Sequence, residues 1–170
     1  MKLTVIHTPF NGINLLALLQ MGYRKAYLSK DFIFTEESKY ETKNPDDQKD
    51  WNKLTGLASL AFNSQKSSHM WAWRYFNGNF EIAPYSHDSK GTIIFPEEKD
   101  IIVVKQDVVF HVDILILNNN DVLFHFNQQS NKIKEIIKKN ELLPKNNYRI
   151  ITTWFGGTSL PKKIVKIYGL

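Results

Sequence analysis

The chain has 170 residues and a net charge of +5, with 42% hydrophobic and 23% charged residues. It has no cysteine, which excludes a disulfide framework, a thiol nucleophile and a thiolate metal site. This size and composition predict one globular domain over residues 1–170. Met1–Pro9 is too short and polar for a signal peptide, and no apolar run reaches the roughly 20 residues of a membrane span. We therefore expect a cytoplasmic protein without a membrane partner.

Short strand-like segments follow one another along the chain and are separated by turn-forming residues. Many short strands at such spacing favour a sandwich or barrel over alternating βαβ units. The predicted fold is all-β, an antiparallel β-sandwich of jelly-roll type. The predicted strands are Leu3–His7, Phe32–Thr35, Leu57–Phe62, His69–Phe76, Phe80–His87, Thr92–Phe95, Ile101–Lys105, Val108–Leu117, Val122–Asn127, Tyr148–Phe155 and Ile164–Tyr168.

One or two short helices are expected beside the strands. Leu15–Met21 is long enough for two helical turns. Asn131–Asn140 has apolar residues at 133, 136 and 137 and asparagine at both ends, which predicts a short amphipathic helix or a turn over one end of the sandwich. We expect the lysines of this segment to form a solvated surface.

The most informative segment is a predicted hairpin, in which Asn77-Gly78 joins two aromatic strands. Asn-Gly is favoured in type I′ turns because both central residues need a positive φ. Counting outward from the turn pairs Tyr75 with Phe80, Arg74 with Glu81, Trp73 with Ile82, Ala72 with Ala83 and Trp71 with Pro84. These pairs are chemically compatible, so the register follows from the sequence.

Directly paired residues point to the same side of a sheet, so the hairpin has two distinct faces. The apolar face is predicted to cover the core and contains His69, Trp71, Trp73, Tyr75, Phe80, Ile82 and Pro84. The other face contains Met70, Ala72 and Ala83 together with the candidate ligand-binding residues Arg74, Glu81, Tyr85 and His87. Such aromatic and planar hydrogen-bonding side chains suit a sugar ligand. The alternative is a second packed layer with Arg74 and Glu81 simply paired at the edge.

Three blocks of the sequence resemble a group of small β-sandwich proteins from Bacteroidetes and their phages. The blocks are 34–40 with 47–56, the hairpin from Trp73 to Tyr85, and Trp154-Phe155-Gly156-Gly157 with Pro161 and 164–167. The group has Arg at the position of Met70 and Gly at that of Ala72. The arrangement also resembles lectin-like and polysaccharide-lyase-like jelly rolls, which implies a sugar ligand by analogy.

Three functions remain open on these grounds. The leading hypothesis is a lectin-like module that binds a glycan without catalysis and has no catalytic residues. The second is a polysaccharide-lyase-like enzyme in which Tyr85, His87 and Arg74 carry out β-elimination on a uronic-acid polymer. The third is a phage-encoded virion or anti-defence protein that binds a small anionic nucleotide, which the positive charge favours. A homo-oligomer remains open.

No metal site and no cofactor are predicted. His111 and Asp113 share one face of a strand, and His125 joins them only if the register of the next strand allows it. Asp46, Asp47 and Asp50 lack the spacing and closing Glu of a calcium loop. The lysines near 132–145 and 162–166 are not interleaved with aromatic residues, so there is no strong signature of nucleic-acid binding.

Overall fold

The computed structural model describes residues 3–7, 23–24, 27–59, 65–119, 121–129, 132–142, 148–156 and 158–169. The predicted helix Leu15–Met21 lies outside these ranges. Within them, helical structure is confined to the 3-10 turns Glu36–Ser38, Pro45–Lys49 and Glu98–Asp100. No helix in this part of the chain has the length and apolar character needed to cross a membrane.

The described strands form two antiparallel sheets packed face to face, which confirms the predicted β-sandwich. The strands are β1 (Leu3–His7), β2 (Tyr23–Arg24), β3 (Tyr27–Ile33), β4 (Asn52–Ala58), β5 (Ser68–Phe76), β6 (Asn79–His87), β7 (Ile93–Ile94), β8 (Ile102–Val104), β9 (Phe110–Ile116), β10 (Asp121–Gln128), β11 (Lys132–Lys139), β12 (Tyr148–Ile151) and β13 (Val165–Gly169). Sheet I has the order β1-β13-β3-β9-β10-β11. Sheet II has the order β2-β12-β4-β5-β6-β7, with β8 also paired to β6.

The β5–β6 hairpin forms in the predicted register. All five predicted pairs are present, and the pairing continues to Ser68 opposite His87. Asn77 and Gly78 have φ values of 49° and 78°, as a type I′ turn requires. The sequence therefore determined both the turn and the assignment of side chains to the two faces.

The core lies between the sheets and is rich in aromatic rings. Trp71 packs edge-on against Phe124 of sheet I with 5.4 Å between ring centres, and its indole N–H donates to the carbonyl oxygen of Asp113 at 3.0 Å. Phe34 stacks on Phe80 at 4.8 Å and lies 5.4 Å from Trp73. The prediction that the tryptophan face of the hairpin covers the core is confirmed.

The helix predicted over Asn131–Asn140 is wrong, because Lys132–Lys139 is strand β11 at the edge of sheet I. It pairs with β10 along its whole length, from Asp121 opposite Lys139 to Gln128 opposite Lys132. Residues 133 and 137 lie on the same face of either a helix or a strand, so their apolar character does not distinguish the two. The strand is favoured because its backbone groups form hydrogen bonds with those of β10. Ile136 is buried in the core, whereas Ile133 and Ile137 are exposed on the other side.

Two strand boundaries differ from prediction in a way that matters for the site. Strand β4 begins at Asn52 rather than at Leu57, and β12 ends at Ile151 rather than at Phe155. Beyond β12, Trp154 forms an isolated antiparallel bridge with Lys53. The backbone therefore places Lys53 and Trp154 side by side on sheet II.

Candidate functional site

The face of sheet II turned away from the core, called the outer face here, holds all four candidate ligand-binding residues. Its members are Lys53 on β4, then Met70, Ala72 and Arg74 on β5, and Glu81, Ala83, Tyr85 and His87 on β6. Much of this face is packed. Met70, Ala72 and Tyr85 are buried in a small cluster with Ala58 and Ile151, against which Trp51 packs.

Arg74 and Glu81 form an ion pair near the hairpin turn, as their predicted pairing implies. The Nε atom of Arg74 donates to Oε2 of Glu81 at 2.7 Å, and Nη1 donates to the carbonyl oxygen of Lys49 at 3.0 Å. The guanidinium also lies 4.3 Å from the ring centre of Trp51 and 4.7 Å from that of Phe76. Arg74 is thus held by partners of its own within the fold.

Tyr85 and His87 form a second pair at the other end of the hairpin. Their ring centres are 5.2 Å apart in an edge-to-face arrangement, and Nδ1 of His87 is hydrogen-bonded to Oγ of Ser68 at 3.1 Å. The cross-strand pair Ala72–Ala83 separates this pair from Arg74 and Glu81. Four residues along a strand span roughly 13 Å. The structure therefore brings the four candidates together as two separate pairs.

The cation beside Tyr85 is Lys53, which is not among the residues predicted from the sequence to bind a ligand. Its Nζ atom lies 6.0 Å from the ring centre of Tyr85 and 5.0 Å from that of Trp154. Only 5% of the residue is exposed. None of the ion pairs formed among the described residues involves Lys53. A lysine buried in this way is uncommon and marks a candidate functional group.

A β-bulge in β4 is the reason that Lys53 could not be found from the sequence. The register of β4 against β5 shifts between Lys53 and Thr55, so that Leu54 is an additional residue. Lys53 then points to the outer face opposite Ala72, although Leu54 and Leu57 both belong to the core between the sheets. Strict alternation along the strand does not reveal this placement.

Burial shifts the pKa values of Lys53, Tyr85 and His87 in the direction that favours the neutral form of each residue. It lowers the pKa of the Lys53 ammonium and raises the pKa of the Tyr85 hydroxyl, with a further raising effect from the charge of Asp50. Burial, with the nearby charge of Lys53, lowers the pKa of His87 to about 4. Near neutral pH this site therefore holds a protonated phenol, a neutral imidazole and a lysine that loses its proton more easily than usual.

Comparison with solved structures shows that this sandwich is similar in fold to an alginate lyase. The chain is similar to alginate lyase Aly36B bound to alginate trisaccharide, with 14% identity and a TM-score of 0.50, covering 87% of this chain and 69% of that one. It is similar to the same enzyme bound to alginate tetrasaccharide, with 13% identity and a TM-score of 0.50, covering 84% and 66% of the two chains. The fold of the chain is thus similar to that of this alginate lyase. No protein-family model and no curated sequence matches it.

The two alginate-bound structures are of variants with two substitutions each. In the trisaccharide complex a lysine and a methionine are replaced by alanine, and in the tetrasaccharide complex a lysine and a tyrosine are replaced. At this low identity the similarity establishes the fold of the present chain. It confirms the resemblance to polysaccharide-lyase-like jelly rolls at that level.

On sheet I, the histidines and the aspartate considered as metal ligands do come together. The register places His125 opposite Asp113, and His111 lies opposite Asp31. His111 bonds Asp31 through Nδ1 at 2.5 Å and Asp113 through Nε2 at 2.9 Å, and His125 bonds Asp113 at 2.8 Å. These contacts form a hydrogen-bonded ladder. Among the described residues no group of three or more such side chains could hold a metal ion.

Proposed function

We propose that the protein is a polysaccharide lyase that cleaves a uronate-containing glycan by β-elimination on the outer face of sheet II. The observation that supports this most directly is the buried Lys53 ammonium, of lowered pKa, beside the protonated hydroxyl of Tyr85. β-Elimination needs a base that is unprotonated at working pH and an acid that is protonated there. The environments of Lys53 and Tyr85 favour those two states.

In the proposed step, the neutral Lys53 amine removes the proton from C5 of the uronate. The C4–O4 glycosidic bond breaks as the C4–C5 double bond forms, and the departing O4 takes the hydroxyl proton of Tyr85. In the tautomer in which the Ser68 hydroxyl donates to Nδ1, the Nε2–H of the neutral His87 ring donates a hydrogen bond to the sugar carboxylate. Proton transfer from Lys53 to Tyr85 through water restores both groups for the next turnover.

The identity of the three side chains gives separate support. Lysine, methionine and tyrosine are the residue types replaced in the alginate-bound structures of Aly36B. In this chain Met70 lies directly opposite Tyr85 and packs in the same cluster, and Lys53 lies over the ring of Tyr85. The three types therefore meet at one place on the outer face. The lyase set inferred from sequence changes accordingly, with Lys53 in place of Arg74.

The test is turnover of defined polysaccharides. Purified protein is incubated with alginate, with polygalacturonate and with a neutral glucan, and unsaturated products are followed by their ultraviolet absorbance. We expect products from a polyuronate and none from the glucan. Lys53→Ala and Tyr85→Phe should each lower the rate by at least about a hundredfold, the usual size of a general acid–base contribution. Lys90→Ala, an exposed lysine in the turn after β6, is the matched control and should keep full activity.

Glycan binding without turnover is the second candidate. The packing of the outer face favours it, because Lys53 and Tyr85 are nearly covered and Arg74 is already paired with Glu81. Calorimetric binding of alginate without any unsaturated product would establish this function and exclude the lyase. Retention of an anionic nucleotide, for which the net charge of +5 is the main support, would favour the third candidate over both.

A further inference from the structure

Four side chains form a line across sheet II that has Lys53 and Tyr85 at its middle. Trp154 lies at one end, 5.0 Å from the Nζ atom of Lys53. Phe95 lies at the other end, with its ring edge-to-face to Tyr85 and the ring centres 5.9 Å apart. The line runs from the end of β12 across β4, β5 and β6 to the end of β7. The distances of 5.0, 6.0 and 5.9 Å along this line limit the separation of the two end rings to about 17 Å.

The two ends of this line are open to solvent, unlike its centre. Phe95 is 63% exposed and Trp154 is 38% exposed, whereas Tyr85 is 7% exposed. Phe95 and Trp154 are, with Tyr27, the aromatic residues among the exposed large hydrophobic residues of the described chain, and these two flank a buried polar pair. Neither Phe95 nor Trp154 belongs to the hydrophobic core between the sheets.

Along the strands, the direction toward the hairpin turn is blocked. Trp51 packs on the cluster that contains Met70 and Ala72, and the guanidinium of Arg74 stacks on the Trp51 ring at 4.3 Å. Closer to the hairpin turn, Arg74 forms an ion pair with Glu81. A chain that extended from Tyr85 toward the hairpin turn would have to displace this packed group.

We infer that a glycan bound at Lys53 and Tyr85 crosses the strands rather than following them, with Trp154 and Phe95 as stacking surfaces for the sugars on either side. The C–H faces of sugar rings pack on exposed aromatic faces, which orient a polymer without requiring charge. This inference rests on the proposed function for the location of the site. It adds that the ligand is a chain of several units bound within its length, and that Phe95 determines selectivity for longer chains.

The test compares two phenylalanines of the same face. Phe95→Leu keeps an apolar side chain beside Tyr85 but removes the flat ring, and Phe76→Leu is the matched control at the hairpin end. Each variant is assayed with alginate trisaccharide and with longer alginate oligosaccharides. We expect Phe95→Leu to lower kcat/KM for the longer substrates by about threefold to tenfold, as the loss of one aromatic contact implies. Its trisaccharide kinetics and all kinetics of Phe76→Leu should be unchanged.

The outcomes separate this inference from the proposed function. If the wild type binds alginate without cleaving it, the lyase proposal fails and the same comparison is made with dissociation constants. Weaker binding of the longer oligosaccharides by Phe95→Leu, but not by Phe76→Leu, would then support the crossing direction. A loss in Phe76→Leu but not in Phe95→Leu would overturn the crossing direction while leaving catalysis intact. Equal losses for short and long substrates in Phe95→Leu would mean a disturbed Tyr85 and no subsite. A wild type that neither binds nor cleaves alginate would overturn both.

Discussion

A β-carbon at position 156 would lie 2.8 Å from the Nζ atom of Lys53, so Gly156 leaves the space that the ammonium occupies. The amide of Gly156 donates to Oδ1 of Asn52 at 3.0 Å, which fixes this backbone beside β4. The buried position of Lys53 therefore depends on a residue from the far end of the chain.

We predict that Gly156→Ala moves the Lys53 ammonium while preserving the fold. The added methyl group meets the flexible end of a lysine, so the side chain can shift without backbone strain. Displacement toward water should return the pKa of Lys53 toward its ordinary value, and NMR titration of the lysine measures this directly. Lyase activity should fall roughly tenfold, equivalent to about 1.4 kcal/mol of transition-state stabilisation.

Gly78→Ala provides the control for this substitution. Nothing lies within 4 Å of a β-carbon at Gly78, but its φ of 78° disfavours any other residue. The variant should lose about 1 kcal/mol of stability and leave the Lys53 pKa unchanged. If Gly156→Ala left both the pKa and the activity intact, the contact between Gly156 and Lys53 would have no functional consequence.

The sequence predicted the hairpin correctly because its information is local. Asn77-Gly78 sets the turn, and alternation then assigns every side chain to a face. The site is different, since Lys53 reaches Tyr85 only through the register of β4 against β5 and of β5 against β6. The bulge after Lys53 adds a shift that alternation does not encode. Lys53 precedes the predicted strand Leu57–Phe62, and its place in the sequence gave no sign of burial.

The failure at β11 has a related cause. Ile133, Ile136 and Ile137 fit a helical stripe, and a single sequence contains no information about the unpaired edge of β10. Pairing along β10 satisfies the backbone groups of both strands. In β11 the long-range strand pairing therefore differs from the structure that the local sequence pattern favours. In the hairpin, the local pattern and the strand pairing favour the same structure.

We predict a large difference in stability between two tryptophan substitutions. Trp73 is fully buried and packs against Phe34 and Tyr40, with ring centres 5.4 and 5.3 Å away. Trp73→Ala should lower the free energy of unfolding by about 3–5 kcal/mol. Trp154→Ala removes a partly exposed ring and should cost less than about 1 kcal/mol. Urea denaturation of both variants checks this, and equal losses would contradict the assignment of Trp73 to the core.

We predict that Asp31→Asn lowers the pKa of His111. Burial alone would lower that pKa, but hydrogen bonds to Asp31 and Asp113 outweigh it and raise the value above 6.5. The protonated imidazolium therefore stabilises the folded state fully below pH 6.5, and this contribution is lost as pH rises through the folded-state value. NMR titration of His111 should show the fall, whereas Asp46→Asn, in the distant turn Pro45–Lys49, should leave it unchanged.

The opposite dependence on pH is expected at the buried His69. Its Nε2 atom accepts the backbone N–H of Glu141 at 2.8 Å, and Nδ1 is bonded to Oγ of Ser86 at 2.7 Å. Protonation of Nε2 would break the first bond. Burial lowers the pKa of His69 to about 4, against 6.5 in the unfolded chain, although a hydrogen bond with Asn140 partly opposes the shift.

Acidification should therefore destabilise the protein through His69. Between pH 6.5 and about 4, His69 is protonated in the unfolded state but neutral in the folded state. The free energy of unfolding therefore falls as pH is lowered through this interval, by up to about 3 kcal/mol. His69→Gln offers the matched variant, because an amide can accept from Glu141 and donate to Ser86 without titrating. Urea unfolding across this pH interval should give a shallower slope for His69→Gln than for the wild type. Parallel slopes would mean that His69 takes up its proton in the folded state, and that the hydrogen bond from Glu141 does not hold the imidazole neutral.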